Sequence, residues 1–166
     1  IGACVFSARN GFTVGVISLV GRIYMKLTLD CPFRVGLQAV ERLLEQTPVI
    51  VVDFHAEATS EKIALGQYLD GKVSAVLGTH THVQTADEQV LSGGTAYMTD
   101  AGMTGPHDSI IGAKKDPAIK RFLNQMPVRF EPATGGIKLC GALLDIDESS
   151  GKTRSIERLR LDLEEE

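Results

Sequence analysis

Three of the four histidines in this chain occupy two short segments where they could bind a metal ion. His55 ends the segment Asp53-Phe54-His55, and His80 and His82 form a His-x-His pair. Neutral imidazole nitrogens are good ligands for Zn, Mn and Fe. In extended backbone a His-x-His pair points both rings to the same side, because the side-chain period is two. Residue types and spacing alone leave two interpretations open, a metal site or ordinary hydrogen-bonded histidines.

Acidic and hydroxyl side chains near these histidines could orient the rings. Asp53 and Glu57 flank His55 in the sequence, and a metal-bound histidine usually donates its other N–H to such a partner. Asp53 could instead simply end a strand. Thr81, inside the His-x-His pair, and Asp100, at the end of a later predicted strand, complete the candidates for supporting the rings or contacting a substrate.

The segments before the histidines are predicted to be buried parallel strands. The β-branched run 49–52 and the apolar run 73–77 have strand length. A helical pattern covers about 34–46, and a second helix is expected to begin with Thr59 or Ser60 as its N-cap and to end near Leu69. This alternation favours parallel strands joined by a crossover helix. Ligands bind beyond the carboxyl ends of such strands. We therefore expect His55 to converge there with the His-x-His pair, as three nitrogen ligands.

The two ends of the chain are predicted to be antiparallel. Asn10-Gly11 between β-rich runs indicates a tight hairpin. Residues 137–146 and 153–163 resemble a half-exposed strand pair, with a terminal helix as the alternative for the second segment. Between the two ends we expect a strand over 95–99, and a helix that begins with Asp116 as its N-cap and ends near Gln125.

Composition narrows the possible functions. The chain has 166 residues, of which 43% are hydrophobic and 23% charged, as in one ordinary globular domain. A net charge of −4 without a basic block argues against nucleic-acid binding by bulk charge. The sequence contains no apolar run of the roughly 18 residues that a membrane span needs. Its three widely spaced cysteines indicate reduced thiols and a cytoplasmic location.

Three longer motifs around the histidines resemble one known family. They are VDFHAEATSEK at 52–62, GTHTHVQTAD at 78–87 and GTAYMTDAGMTG at 94–105. Each is similar to a signature of the YmdB-type branch of the calcineurin-like metallophosphoesterases. The resemblance extends over the whole chain and is far more specific than the His-x-His pair alone.

The resemblance implies a fold and a chemistry. The fold is an α/β (α+β) protein, part of an αββα sandwich of two mixed sheets flanked by helices. The cofactors are two divalent metal ions, Fe or Mn, with Mg or Zn as alternatives; His55 and His80 would bind one ion and His82 the other. The activity is hydrolysis of small phosphodiesters or nucleotides, cyclic nucleotides among them, by a hydroxide that bridges the two metals.

The chain also departs from the family's pattern. The early motifs that supply a bridging carboxylate and a general-acid histidine have no counterpart here. We therefore expect residues before Ile1 to be missing, so that residues 1–166 are a single metallophosphoesterase domain without its N-terminal part. We expect no catalytic residue within this chain and no activity from it alone. Half of a sandwich would expose a sheet edge and an apolar face, which predicts a homo-oligomer.

Two other functions remain open. A mononuclear metal hydrolase of the amidohydrolase kind also uses His-x-His, but usually in a TIM barrel, and the antiparallel tail argues against that fold. A non-catalytic regulatory or binding module could have kept the fold and lost the upstream motifs.

Overall fold

The structure, a computed structural model, describes residues 2–163 and forms two β-sheets with three helices. The strands are β1 (Ala3–Ser7), β2 (Thr13–Val20), β3 (Ile50–His55), β4 (Ala75–Thr79), β5 (Gln89–Val90), β6 (Ala96–Met98), β7 (Gly105–Pro106), β8 (Ile137–Ile146) and β9 (Thr153–Asp162). The helices are α1 (Pro32–Leu44), α2 (Thr59–Leu69) and α3 (Lys115–Asn124).

The larger sheet has six strands in the order β1-β2-β3-β4-β6-β5. Its central strands β2, β3, β4 and β6 are parallel, whereas β1 and β5 pair antiparallel at the two edges. The predicted hairpin at Asn10-Gly11 joins β1 to β2, and the predicted parallel pairing of the two strands before the histidines is confirmed. The carboxyl ends of β3 and β4 therefore lie side by side.

Strand β3 shows how the sequence separates core from site. Ile50, Val52 and Phe54 are fully buried on one face, where they join the hydrophobic core with side chains of α1 and α2. The alternate residues Val51, Asp53 and His55 are only half-buried. Because side chains alternate along a strand, the apolar residues anchor β3 in the core and leave its polar residues on the opposite face.

The smaller sheet is antiparallel, in the order β7-β8-β9, and contacts the larger one where β9 meets β5 and β6. The predicted tail pair is confirmed, and the alternative of a terminal helix is wrong. Large apolar side chains of this sheet are exposed, among them Leu139, Leu143 and Leu161. The predicted α/β class, with two sheets and flanking helices, is confirmed, while the predicted self-association stays a prediction.

The helix starts differ from those expected. Helix α2 begins with Ala58 as N-cap, and α3 begins with Lys114 as N-cap, so Thr59 and Asp116 lie inside the first turns. Neither N-cap residue makes a side-chain cap hydrogen bond. The first turn of α2 is closed by the backbone alone, since the Ala58 carbonyl oxygen accepts from the N–H groups of Glu61 and Lys62. In residues 2–163 no helix combines the length and apolar character that crossing a membrane requires.

Candidate metal centre

The ends of β3 and β4 bring His55 and His80 into direct contact. His55 is level with Thr79 across the parallel pair, so the next residue, His80, lies just beyond it. His55 Nε2 and His80 Nδ1 are 3.0 Å apart, and the two rings meet edge to face with centroids 4.7 Å apart. The expected convergence of these two histidines is confirmed.

The second ring nitrogen of His55 is tied to the sheet. His55 Nδ1 lies 3.2 Å from Thr79 Oγ1, and Thr79 Oγ1 donates to Asp53 Oδ1 at 2.9 Å. Ser18 Oγ donates to the other oxygen of Asp53 at 3.2 Å. Asp53 was expected to accept the ring N–H directly. Asp53 acts instead through the Thr79 hydroxyl. Thr79 on β4 is level with His55 on β3, and its hydroxyl contacts both the His55 ring and the Asp53 carboxylate.

The second ring nitrogen of His80 is held by a carboxylate. His80 Nε2 lies 2.9 Å from Glu57 Oε2, and the two side chains are 33% and 48% exposed. This is the carboxylate–histidine arrangement that orients ligand rings in metal proteins. The expectation that Glu57 supports a histidine is confirmed, although the ring it contacts is that of His80.

The backbone of the His-x-His pair is not extended, although the prediction that both rings point to the same side assumed an extended backbone. Strand β4 ends at Thr79, and φ is positive at both His80 (113°) and His82 (66°). The ring of His80 contacts His55 and Glu57, whereas the ring of His82 contacts the Ile111 carbonyl, so the two rings do not share one side. Among the described residues 2–163, no group of three or more His, Cys, Asp or Glu side chains is arranged to hold one ion. The expectation of three convergent nitrogens is wrong, and only His55 and His80 face each other.

A buried ion pair stabilises the turn that contains His80 and His82. Lys62 Nζ lies 2.8 Å from Asp100 Oδ2, with both side chains essentially inaccessible to solvent. Asp100 also accepts hydrogen bonds from the backbone N–H groups of Thr81 and Gly102. Burial alone raises the pKa of Asp100, but the hydrogen bonds from Lys62, Thr81 and Gly102 outweigh it and lower that pKa below 3.8. Backbone at positive φ costs about 1–3 kcal/mol per residue, and this anchor holds it in place.

Asp100 and Thr81 therefore hold the turn rather than the rings. Asp100 bonds to Lys62 and to backbone N–H groups, and the Thr81 hydroxyl bonds to the backbone of Val83. Gly78 makes this packing possible, because a Cβ at that position would come within 1.7 Å of Thr99 O. A side chain there would push β4 away from the segment that carries Asp100.

His82 lies in a different environment. Its Nδ1 is 3.0 Å from the carbonyl oxygen of Ile111, which leaves Nε2 as the nitrogen available to a ligand. With His107 and Met103, His82 lines a cavity of about 290 Å³. His107 itself is engaged, since its Nε2 lies 2.9 Å from Met103 O.

The donor set of His55 and His80 fits a transition-metal ion. Two nitrogens bound at 2.0–2.1 Å, with angles between 90° and tetrahedral, lie about 2.8–3.4 Å apart. The observed separation of 3.0 Å falls in this interval. The remaining ligands of such an ion would come from His82, from water, from substrate or from groups outside these 166 residues.

Comparison with known proteins identifies the family of this chain. The sequence profile of the family described as "YmdB-like protein" matches residues 1–159. The chain belongs to the YmdB-like family. This family is a branch of the calcineurin-like phosphoesterases, as the motifs at 52–62, 78–87 and 94–105 indicated.

Three relatives illustrate the YmdB-like match. Over 150 residues the chain is 51% identical to the 2′,3′-cyclic-nucleotide 2′-phosphodiesterase of Bacillus subtilis, covering 90% of this chain and 56% of that protein. A crystal structure described as a hypothetical protein from Thermus thermophilus matches with a TM-score of 0.85 at 41% identity, covering 97% of this chain and 62% of the other. A structure described as a novel phosphatase, from Mycoplasma pneumoniae, gives 0.86 at 34% identity, with 97% and 57% covered. The chain thus spans little more than half the length of these relatives.

Three residues of the site were missed from the sequence: Thr79, Lys62 and Ser18. Thr79 could have been found, because residues level with each other on adjacent parallel strands share a face. Lys62 offered no signal, since a lysine on a helix is normally exposed. Ser18 depends on the pairing of β2 with β3, which the sequence did not specify.

Proposed function

We propose that the protein is a metal-dependent phosphodiesterase acting on small phosphodiesters, cyclic nucleotides among them. The observation that carries the proposal is the approach of His55 Nε2 to His80 Nδ1 at 3.0 Å, with the second nitrogen of each ring already partnered. The 51% identity to a protein named as a 2′,3′-cyclic-nucleotide 2′-phosphodiesterase supports the substrate class.

The residues of this chain would have separate tasks in that reaction. His55 and His80 would hold one divalent ion, and His82, through Nε2, would serve a second. The proposed ions are Fe or Mn, with Mg or Zn as alternatives. When bound, such ions polarise the phosphoryl oxygens and lower the pKa of a coordinated water. Glu57 and the Asp53–Thr79 pair keep the rings of His80 and His55 in place, and the Lys62–Asp100 ion pair keeps the backbone between His80 and His82 in its positive-φ conformation.

These 166 residues do not supply every group that the proposed reaction needs. By the family resemblance, the bridging carboxylate and the general acid belong to motifs that these 166 residues do not contain. Without a bridging carboxylate, two divalent ions would repel each other strongly. We therefore propose that these 166 residues alone are inactive, and that hydrolysis requires a bridging carboxylate and a general acid from outside them.

The test compares this 166-residue chain with a full-length protein that contains it. Both are incubated with Mn²⁺ and either bis-p-nitrophenyl phosphate or a 2′,3′-cyclic nucleotide. We expect turnover from the full-length protein, loss of that turnover in its His80→Ala form, and none from the short chain. Absence of turnover from a metal-loaded full-length protein would contradict the phosphodiesterase function. Comparable turnover from the short chain would contradict the need for further groups.

A further inference from the structure

The hydroxyl of Thr79 lies between the ring of His55 and the carboxylate of Asp53 and contacts both. We infer that Thr79 is a positioning residue that fixes the tautomer of His55, keeping the proton on Nδ1 and a lone pair on Nε2. The inference rests on the proposed function only through the metal site that it would prepare. It concerns the state of the ring before any metal binds.

The hydrogen bonds around Thr79 favour one assignment of protons. A threonine hydroxyl has a single proton, and an ionised carboxylate can only accept. Thr79 Oγ1 uses that proton toward Asp53 Oδ1 at 2.9 Å. It can therefore only accept from His55 Nδ1, at 3.2 Å. A neutral imidazole carries one N–H, so Nε2 of His55 is left with its lone pair.

Three adjacent strands make this arrangement rigid. Ser18 on β2 is level with Asp53 on β3, and His55 on β3 is level with Thr79 on β4. Ser18 Oγ donates to Asp53 Oδ2 at 3.2 Å, so each carboxylate oxygen accepts from a different strand. The carboxylate is held from both sides, and the Thr79 proton is consequently directed away from the ring.

The tautomer matters because of what faces His55 Nε2. Glu57 accepts from His80 Nε2, which leaves a lone pair on His80 Nδ1 as well. The two nitrogens that face each other at 3.0 Å would then both present lone pairs, as binding of one cation between them requires. In the opposite tautomer, His55 Nε2 would donate to His80 Nδ1, and that hydrogen bond would occupy both ligand nitrogens.

The experiment changes the hydroxyl and reads the proton directly. Thr79→Val keeps the β-branched shape that suits β4 and removes the hydroxyl, whereas Thr79→Ser keeps the hydroxyl and is the matched control. In Asp53→Asn the amide can donate to Thr79 Oγ1, which frees the threonine proton to point at His55. Each variant is made in the full-length protein that contains this chain. The ring ¹⁵N shifts of the metal-free protein give the tautomers, and calorimetry gives the Mn²⁺ affinity.

We expect the Nδ1–H tautomer of His55 in wild type and Thr79→Ser, and a shift toward Nε2–H in Thr79→Val and Asp53→Asn. His80 should keep its Nε2–H in all four proteins. The Mn²⁺ affinity should fall about 10–100-fold in the two shifted variants, as for loss of other ligand-orienting groups. An unchanged His55 tautomer in both would overturn the inference, whatever their Mn²⁺ affinity. A full-length wild-type protein that binds no Mn²⁺ would count against the proposed function alone, because the tautomer is measured without metal.

Discussion

The two sheets place their polar side chains in opposite environments. Next to the six-stranded sheet, the ion pair of Lys62 in α2 with Asp100 in the loop after β6 is buried. On the sheet itself, Asp53 and Thr79 are half-buried and hydrogen-bonded to each other. Beside the three-stranded sheet, Arg154 pairs with Asp145 and Asp147 at the solvent-exposed end of the β8–β9 hairpin. A charge pair in a low-dielectric interior interacts strongly and is costly to break, whereas an exposed pair is screened by water and salt. The larger sheet is thus suited to hold a site in fixed geometry.

The largest effect should come from breaking the buried pair. Lys62→Met leaves the Asp100 carboxylate buried without its counter-charge, and we expect a loss of about 3–5 kcal/mol in the free energy of unfolding. Denaturant unfolding followed by circular dichroism would measure it. A loss below about 1 kcal/mol, the range of exposed pairs, would remove the contrast between the sheets.

A smaller effect is expected from removing the partner of His80. Glu57→Ala leaves the ring free to rotate, so we expect Mn²⁺ affinity to fall about 10–100-fold, as when other ligand-orienting carboxylates are lost. Calorimetric titration would measure this affinity. Glu131→Ala is the matched control, because Glu131 pairs with Lys114 near α3, away from the two rings. Equal losses in both variants would show that general charge, not ring orientation, sets the affinity.

The acid sensitivity of the fold should depend on Asp100. Its pKa is lowered in the folded state, so the stability it contributes is fully present above about 3.8 and is lost as pH falls through the lower folded pKa. Asp100→Asn cannot titrate, and we expect it to lose less stability than wild type between about pH 5 and pH 2, relative to its own value at neutral pH. Unfolding free energies across that interval would measure the difference. Parallel pH profiles would contradict this role of Asp100.

The smallest effect is expected at the hairpin of the smaller sheet. Hydrogen bonds from Ser149 and Ser150, with a further one from Arg154, lower the pKa of Asp147, but this carboxylate lies at the surface and its side chain is 33% exposed. Solvent screening therefore removes most of the benefit, and Arg154→Met should leave the unfolding midpoint at neutral pH within experimental error. The measurement is the same denaturant titration as for Lys62→Met. A midpoint shift comparable to that of Lys62→Met would contradict the comparison.

Much of the fold was predictable because its signals are local. The hairpin at Asn10-Gly11 and the strands before His55 and His80 follow from turn chemistry and short apolar runs. The two-residue strands β5 and β7 were missed, because segments that short carry no periodic pattern. The predicted N-caps of α2 and α3 were wrong for a related reason. A single polar residue is a weak local signal for the exact residue at which a helix begins.

The sequence by itself determined which residues stand at the ends of the parallel strands, and hence that His55 and His80 meet. The turn at His80 and His82, the link from Asp53 to His55 through Thr79, and the Lys62–Asp100 pair were decided only by the tertiary structure. The physical reason is that these contacts depend on the exact strand register and on packing between a helix and a loop: Thr79 is level with His55 only in the register observed, and Lys62 in α2 meets Asp100 in the loop after β6. Local propensity cannot specify such contacts, which depend on strand register and on how closely the segments around Gly78 pack.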